Sequence, residues 1–320
     1  MRPTTLDEFV GQDRIRRILQ ILCRSAKAKG TAVSHVLLSG PPGLGKTSLA
    51  RILAREMGSR LIETVGSNVQ GPEHLCRQLL SLRPMDILFI DEIHSLGLAN
   101  EEVLYGAMED FQVSAVETGG NDFMKALGVS RKPPEAKLVQ LPPFTLAAAS
   151  TLTGLVSAPL RSRFMQVLTL EPYSQSDLER IALNAAARME FKLPKAAATE
   201  VARRSRATAR VAVCNLSWIV EYCTGLDVPA TAKHVREAFE LKGIDRHGLN
   251  ELDRQYLGLL LKSRSPMGLN TIAVALNESA DTLERSVEPF LIQRGLVRRE
   301  SRGRLAGAAA RKALDARRAA

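Results

Sequence analysis

The stretch Gly40-Pro-Pro-Gly-Leu-Gly-Lys-Thr47 decides the fold of this chain. It fits the P-loop pattern G-x-x-x-x-G-K-[ST], and its flanks have the required character: the apolar run 35–39 predicts a buried strand and 48–55 predicts an amphipathic helix. Glycines let successive backbone N–H groups point inward, and the following helix adds its positive end. These glycines are Gly40, Gly43 and Gly45. The stretch therefore predicts a cradle for phosphate groups.

Two polar pairs would carry the chemistry at this cradle. Lys46 would reach the terminal phosphates, and the Thr47 hydroxyl would ligate a magnesium ion. The apolar run that begins at residue 85 ends in Asp91 and Glu92, as expected for a buried parallel strand. Asp91 would hold the magnesium ion through water, and Glu92 would orient and deprotonate a water molecule for attack on the γ-phosphate. Together these residues predict hydrolysis of a nucleoside triphosphate.

Strand-like runs alternate with helical runs through the first part of the chain. Helices are predicted at 13–29, 73–82 and 100–110, and strands at 60–65, 85–91, 144–150 and 166–170. This alternation predicts an α/β fold with a doubly wound parallel sheet and a nucleotide at its carboxyl edge. Ser150 and Thr151 at one strand end would sense the γ-phosphate, or would merely cap the chain there. The Gly-, Lys- and Pro-rich segment 119–134 predicts a projecting loop or hairpin insertion.

The rest of the chain predicts two smaller domains. After a first domain at 1–175, the periodicity is purely helical at 176–246, and three helices and a hairpin around Gly303 predict a winged helix at 247–306. Arginines of the hairpin would contact DNA phosphates or the minor groove, although a basic turn without a ligand is the alternative. They are Arg298, Arg299, Arg302 and Arg304. The Ala- and Arg-rich tail 307–320 would form a basic helix or stay disordered.

Composition agrees with a DNA-associated enzyme. The chain has 320 residues, is 45% hydrophobic and carries a formal net charge of +10, which favours a polyanionic partner. Aromatic residues make up 4%, which argues against a base-stacking platform. The four cysteines form no C-x-x-C pair and predict small buried side chains in a reducing compartment. Without a signal peptide or a membrane span, we expect a cytoplasmic location.

Several runs are more specific than the general P-loop pattern. They include Ala107-Met-Glu-Asp-Phe111, Leu141-Pro-Pro-Phe-Thr-Leu146, Pro159-Leu-Arg161 and Glu288-Pro-Phe-Leu-Ile-Gln293. With these runs the chain resembles, over nearly its whole length, the RuvB family of AAA+ ATPases, the bacterial motors of Holliday-junction branch migration. The resemblance implies an ATPase domain, a helical lid and a winged helix in a homomeric ring, normally a hexamer. It also implies ATP, Mg²⁺, duplex DNA at a four-way junction, a junction-binding partner of the RuvA type and a resolvase.

The resemblance further implies roles for single residues. Ser150 or Thr151 would be the first sensor and Arg210 the second, and Arg163 would be a finger that reaches the nucleotide of the next subunit. The residues that would line the nucleotide are Arg2, Gly43, Lys46, Thr47, Ser48, Glu109, Asp110, Phe111, Tyr173 and Arg210.

Two departures from the family pattern leave other functions open. The segment between Phe111 and Leu141 is longer than the family's hairpin, on which the junction-binding partner docks. Ala207-Thr-Ala-Arg210 also stands where the family usually has Gly-Thr-Pro-Arg. One alternative is another AAA+ DNA machine, such as a clamp-loader subunit or a replication initiator. The other is a protein that uses ATP as an assembly switch and recruits a different partner through 119–134.

Overall fold

A computed structural model describes residues 2–116, 136–263 and 265–315. The chain divides into two compact units, one formed by Arg2–Pro172 and the other beginning at Tyr173. No helix in the described ranges is long and apolar enough to cross a membrane.

The first unit is built on a parallel sheet. Its elements are α1 Asp13–Lys29, β1 Val36–Ser39, α2 Lys46–Met57, β2 Leu61–Val65, α3 Pro72–Leu80, β3 Ile87–Asp91, α4 Leu98–Glu109, β4 Gln112–Val116, β5 Ala136–Gln140, β6 Thr145–Ser150, α5 Ala158–Ser162 and β7 Gln166–Thr169. The sheet has the order β2-β3-β6-β1-β7, and all neighbours are parallel. Every residue of β1 and β6 is buried, as expected for strands of a sheet that is covered on both faces. This burial explains why their sequences are apolar. The predicted doubly wound sheet is confirmed, and the loop after β1 lies where the strand order reverses.

A separate antiparallel hairpin, β4 with β5, stands outside this sheet. It pairs Gln112 with Gln140 at one end and Val116 with Ala136 at the other. The predicted insertion 119–134 falls between these strands and lies outside the described residues. On β5, the Leu138 side chain is 68% exposed.

The second unit begins with a four-helix lid. Its helices are α6 Gln175–Arg188, α7 Lys195–Arg203, α8 Ala209–Gly225 and α9 Ala232–Leu241. Side-chain caps start three of them, because Ser174, Thr208 and Thr231 each accept a hydrogen bond from a backbone N–H of the first turn. Alanines such as Ala182 and Ala198, fully buried in the lid core, let the helices approach closely.

A winged helix follows in the same unit. Its elements are α10 Glu251–Lys262, α11 Leu269–Leu276, α12 Ala280–Thr282, a π-helical turn Leu283–Val287, α13 Glu288–Gln293, β8 Val297–Glu300, β9 Gly303–Ala306 and α14 Ala310–Asp315. The last of the three predicted helices is thus interrupted, because Pro289 lacks an N–H and its ring crowds the preceding turn. Ala310 is fully buried in the domain core, so α14 belongs to this domain and not to a separate tail after residue 306.

A buried carboxylate joins α13 to the wing. Glu288 has no exposed surface, and it accepts hydrogen bonds from Tyr256 Oη at 2.7 Å, Arg299 Nε at 2.7 Å and Arg304 Nε at 2.8 Å. Burial alone would raise the pKa of the Glu288 carboxyl, but the hydrogen bonds from Arg304, Tyr256 and Arg299 outweigh burial and hold that pKa below its usual range. The wing is therefore held on α13 by a charged cluster that needs Glu288 ionised.

Glu288→Gln is expected to destabilise the winged helix at neutral pH by about 1–3 kcal/mol, because it weakens the charge-assisted hydrogen bonds that the buried carboxylate accepts from Arg299 and Arg304. In the wild-type chain the contribution of the Glu288 carboxylate to stability is complete at pH values above the ordinary carboxyl pKa. It is lost as the pH falls through the lower pKa of the folded state. The variant has no carboxyl group at this position and does not show this loss. Thermal unfolding across the acidic range measures both effects.

Glu284→Gln is the matched control, because Glu284 is 48% exposed and faces the same arginines at 3.2 and 3.7 Å. Its loss should change the free energy of unfolding by less than about 1 kcal/mol. Equal unfolding temperatures for Glu288→Gln and the wild type at neutral pH would contradict the proposed importance of the cluster.

Candidate functional site

The P-loop makes a turn that requires glycine at its first position. Gly40 has a φ of 127°, and a Cβ on it would lie 2.7 Å from the carbonyl oxygen of Leu170. Gly43 and Gly45 have φ values of 82° and 104°. Helix α2 begins directly after Gly45, and the N–H groups of its first turn, that of Ser48 included, have no acceptor within the helix. The loop and the helix end together present backbone donors to an anion.

The Lys46 side chain lies folded onto this loop. Its Nζ donates to the carbonyl oxygens of Gly40 at 2.6 Å and Pro41 at 3.0 Å, and the residue is 6% exposed. A phosphate in the cradle would offer the same ammonium group charged acceptors in place of neutral ones. The position of Lys46 therefore fits phosphate binding.

A hydroxyl and a carboxylate meet beside the loop. Thr47 Oγ1 donates to Asp91 Oδ2 at 3.0 Å, and Asp91 Oδ1 accepts from the backbone N–H of Glu92 at 3.0 Å. Oxygen donors of this kind suit Mg²⁺, which commonly takes one or two protein ligands and fills its shell with phosphate and water. In the described ranges, no group of three or more His, Cys, Asp or Glu side chains could hold a metal. Thr47 and Asp91 thus fit a magnesium ion that arrives with a nucleotide.

Glu92 lies next to this pair in a network with both predicted sensor residues. Its Oε2 accepts from Thr151 Oγ1 at 2.9 Å and lies 3.3 Å from His94 Nε2. The other ring nitrogen of His94 is 3.1 Å from Ser150 Oγ. Sequence reasoning did not assign His94. The available signal was its place two residues after Glu92 in a tight turn, which brings the ring back to the carboxylate.

Arg163 lies at the opposite edge of the sheet. It precedes β7 and its Nη2 donates to Glu109 Oε2 at 3.2 Å, while its guanidinium stacks 4.2 Å from the centre of the Tyr105 ring. The phosphate cradle follows the carboxyl end of β1, so about 15 Å of strand separates the two edges. Arg163 is therefore placed away from the cradle of its own chain.

Three residues at the end of α4, which the resemblance assigns to the nucleotide, lie at the edge of the sheet opposite the P-loop. Glu109, Asp110 and Phe111 were expected to line the nucleotide, yet the Phe111 ring packs 5.8 Å from the ring of Phe144, at the amino end of β6. His35, at the amino end of β1, accepts from Leu146 N and donates from Nε2 to Met108 O at 3.2 Å. These residues share the edge that holds Arg163, because parallel strands place all their amino ends together. They lie away from the P-loop of their own chain, and their contact with a nucleotide stays a prediction.

Three other residues implied to line the nucleotide belong to different units. Arg2 is exposed near Glu63, where it adds to the hydrogen bond from Arg51, the main cause, in lowering the pKa of the Glu63 carboxyl. Tyr173, 7% exposed, begins the second unit, and Arg210 is exposed in the first turn of α8. Their joint role therefore stays a prediction.

The wing divides the four predicted DNA-contacting arginines into two pairs. The Arg298 side chain is 66% exposed, and Arg302 is exposed at the turn of the hairpin. Arg299 and Arg304 both form ion pairs with Glu288, and their side chains are 45% and 16% exposed. All four stay predicted DNA contacts, of which Arg298 and Arg302 are the most accessible, while Arg299 and Arg304 also hold the wing on Glu288.

Models of protein families match the chain over almost its whole length. The model described as Holliday junction DNA helicase RuvB P-loop domain matches residues 1–170, the RuvB AAA lid domain matches 173–245, and the RuvB C-terminal winged helix domain matches 246–315. The chain belongs to the RuvB family. The resemblance seen in the sequence is thereby confirmed.

Individual RuvB proteins are similar to this chain in sequence and in structure. The Holliday junction branch migration complex subunit RuvB of Rubrobacter xylanophilus is 42% identical over 96% of this chain and 84% of its own length. That of Granulibacter bethesdensis is 43% identical over 97% and 84%. The solved structure of the Thermotoga maritima RuvB Holliday junction branch migration motor gives a TM-score of 0.84 at 37% identity, with 98% of each chain covered.

His94→Ala is expected to lower the kcat of ATP hydrolysis about tenfold while leaving the affinity for ATP unchanged, because the ring orients Glu92 and does not touch the cradle. His94→Gln, whose amide can still donate to Glu92, should recover most of the rate. Steady-state ATPase kinetics together with a titration of a fluorescent ATP analogue separate the two quantities. An unchanged kcat in His94→Ala would remove the positioning role.

Proposed function

We propose that this chain hydrolyses ATP with Mg²⁺ and uses the energy to move duplex DNA through a Holliday junction, as the motor of a branch-migration complex. The observation that carries the proposal is the contact of Thr47 with Asp91 beside the Glu92 carboxylate, on a glycine cradle in a chain that also has a winged helix. The choice of the junction as the substrate is supported by the names of RuvB relatives, which include Holliday junction branch migration.

Each residue of the site has a defined task in this proposal. Mg²⁺, when bound, neutralises negative charge on the phosphates. Lys46 exchanges its two carbonyl acceptors for phosphate oxygens, and Thr47 and Asp91 hold the cation, Asp91 through water. Glu92 takes a proton from the attacking water molecule. Thr151 donates to Glu92 in the described structure, and in turning to the γ-phosphate it would free the carboxylate for this task.

Arg163 would complete the site of a neighbouring subunit. Its place at the amino edge of the sheet supports action between subunits, since its own cradle lies at the other edge. To act there it must leave Glu109 and Tyr105 and reach the developing charge on the transferred phosphoryl group. This arrangement requires a head-to-tail contact between subunits, and we propose that it closes into a hexameric ring.

DNA and the partner protein would use two further surfaces. Arg298 and Arg302 would contact DNA phosphates, so binding should weaken with salt. The exposed Leu138 on the β4–β5 hairpin would dock on an apolar groove of a RuvA-type junction-binding protein.

Glu92→Gln should bind ATP as the wild type does but hydrolyse it at least about 100-fold more slowly, because the amide cannot accept the proton. Lys46→Ala should lose ATP binding as well. Migration of a synthetic four-way junction, measured with and without the host's junction-binding protein, should disappear in both variants. Undiminished hydrolysis in Glu92→Gln would reject the assigned base. Intact ATPase activity without migration would reject the junction as the substrate.

A mixture of Arg163→Ala and Lys46→Ala subunits tests the finger. Each variant alone should be inactive, but in mixed rings a site with an intact Lys46 can receive Arg163 from its Lys46→Ala neighbour. For equal amounts and random order, about a quarter of the sites should regain hydrolysis. ATPase activity of mixtures at several ratios measures this. A mixture no more active than its two components would show that Arg163 does not act between subunits.

A further inference from the structure

The turn between α7 and α8, residues 204–208, has a constrained backbone. Arg206 and Ala207 have φ values of 51° and 55°, a left-handed conformation that residues other than glycine adopt at an energetic cost. Asn215 in α8 donates from Nδ2 to the carbonyl oxygen of Arg204 at 3.1 Å, which ties the start of the turn to the helix that follows it. The turn is thereby fixed to α8 at both of its ends.

The same turn carries the groups that we assign to the nucleotide in this unit. The backbone N–H of Tyr173 donates to Ala207 O at 2.9 Å. The Thr208 side chain caps α8, and Arg210 lies in the first turn of that helix. A nucleotide that draws the first turn of α8 towards it through Arg210 would displace this turn as well, because the two are continuous in the backbone. This step rests on the proposed function of Arg210 as the second sensor.

The side chain of Arg206 leaves the lid and enters the winged helix. It forms an ion pair with Asp253, donates from Nη1 to Ser286 O at 3.4 Å and stacks 4.6 Å from the centre of the Phe290 ring. These partners belong to α10, to the π-helical turn and to α13. One guanidinium group thus contacts three elements of the DNA-binding domain.

The ion pair with Asp253 is the strongest of these three contacts of Arg206, because Asp253 is buried. Asp253 has no exposed surface, and it forms a capping box with Asn250, in which Asn250 N donates to Asp253 Oδ2 at 2.8 Å and Asp253 N to Asn250 Oδ1 at 2.9 Å. Burial raises the pKa of the Asp253 carboxyl, and the charge of Arg206 opposes that rise. Because a buried carboxylate needs its counter-charge, Arg206 and the first turn of α10 should move together.

A second contact also joins this turn to the segment that leads into the winged helix. Gly248, in the segment that leads into α10, has a φ of 80°, and a Cβ on it would lie 3.3 Å from Arg204 Cα. The backbone of the linker therefore packs directly on the backbone of the turn. By contrast, Arg203 at the end of α7 is 48% exposed and faces Glu200 of the same helix at 3.8 Å.

We propose that Arg206 is a positioning residue that couples the nucleotide-sensing end of α8 to the winged helix, through Asp253, Ser286 and Phe290. A nucleotide that moves Arg210 would shift the turn, and Arg206 would carry that shift to α10 and to the π-helical turn beneath the wing. A π-helical turn between two short helices is a suitable place for such a movement, since its hydrogen bonding is already irregular.

Arg206→Met tests the proposal, because it keeps the packing on Phe290 and removes the charge. The rate of junction migration should fall at least about tenfold, while ATP affinity and the ATPase rate without DNA stay within about twofold of the wild type. Arg206→Lys, which keeps the charge, should recover much of the loss. Arg203→Met is the matched control and should behave as the wild type. Asp253→Asn removes the ion pair from the other side and should repeat the defect.

Hydrogen–deuterium exchange provides a readout that does not depend on the junction. Addition of a non-hydrolysable ATP analogue to the wild type should change exchange at residues 283–290, and Arg206→Met should lose that change while it still binds the analogue. A change that persists in Arg206→Met, or a wild type without any change, would overturn the coupling. Parallel loss of ATP binding and folding in both Arg206→Met and Asp253→Asn would also overturn it, in favour of a purely structural contact. A wild type that shows the exchange change but moves no junction would instead reject the proposed function alone.

Discussion

The parallel pairing of β1 with both β6 and β7 is the constraint on which the rest of the site depends. Ser39 is in register with Ser150 on one side and with Thr169 on the other, so three strands end at the same level. The chain is tied there by backbone bonds from Gly40 N to Ser150 O at 3.2 Å and from Leu170 N to Ser39 O at 2.8 Å. Because these strand ends are fixed, the cradle and the sensor residues come together, and the parallel pairing of β6 with β3 brings the acid pair beside them.

Local sequence patterns predicted this edge well. The helix at 13–29 and the P-loop have strong periodicity and special backbone requirements, and the structure places them as expected. Asp91 and Glu92 could be predicted because acids that directly follow a buried parallel strand lie at the carboxyl edge of the sheet, where ligands bind. The family was also recognisable, since runs such as 141–146 are specific.

Features that depend on long-range geometry could not be predicted in the same way. The resemblance assigned residues 109–111 to the nucleotide, but a linear sequence does not show which edge of the sheet they reach. Two of the four wing arginines form ion pairs with Glu288, which local sequence patterns do not show. The ion pair of Arg206 with Asp253 could not be predicted either, because 47 residues separate the two in the sequence.

The resting position of Arg163 has a consequence for how ATP is used in the cell. In a single subunit its charge is paired with Glu109 and covered by the Tyr105 ring. If Arg163 acts between subunits as proposed, an unassembled copy would hold ATP without consuming it, and hydrolysis would begin only where subunits have assembled. Cells could then maintain a stock of ready subunits between episodes of recombination without a standing drain on their ATP.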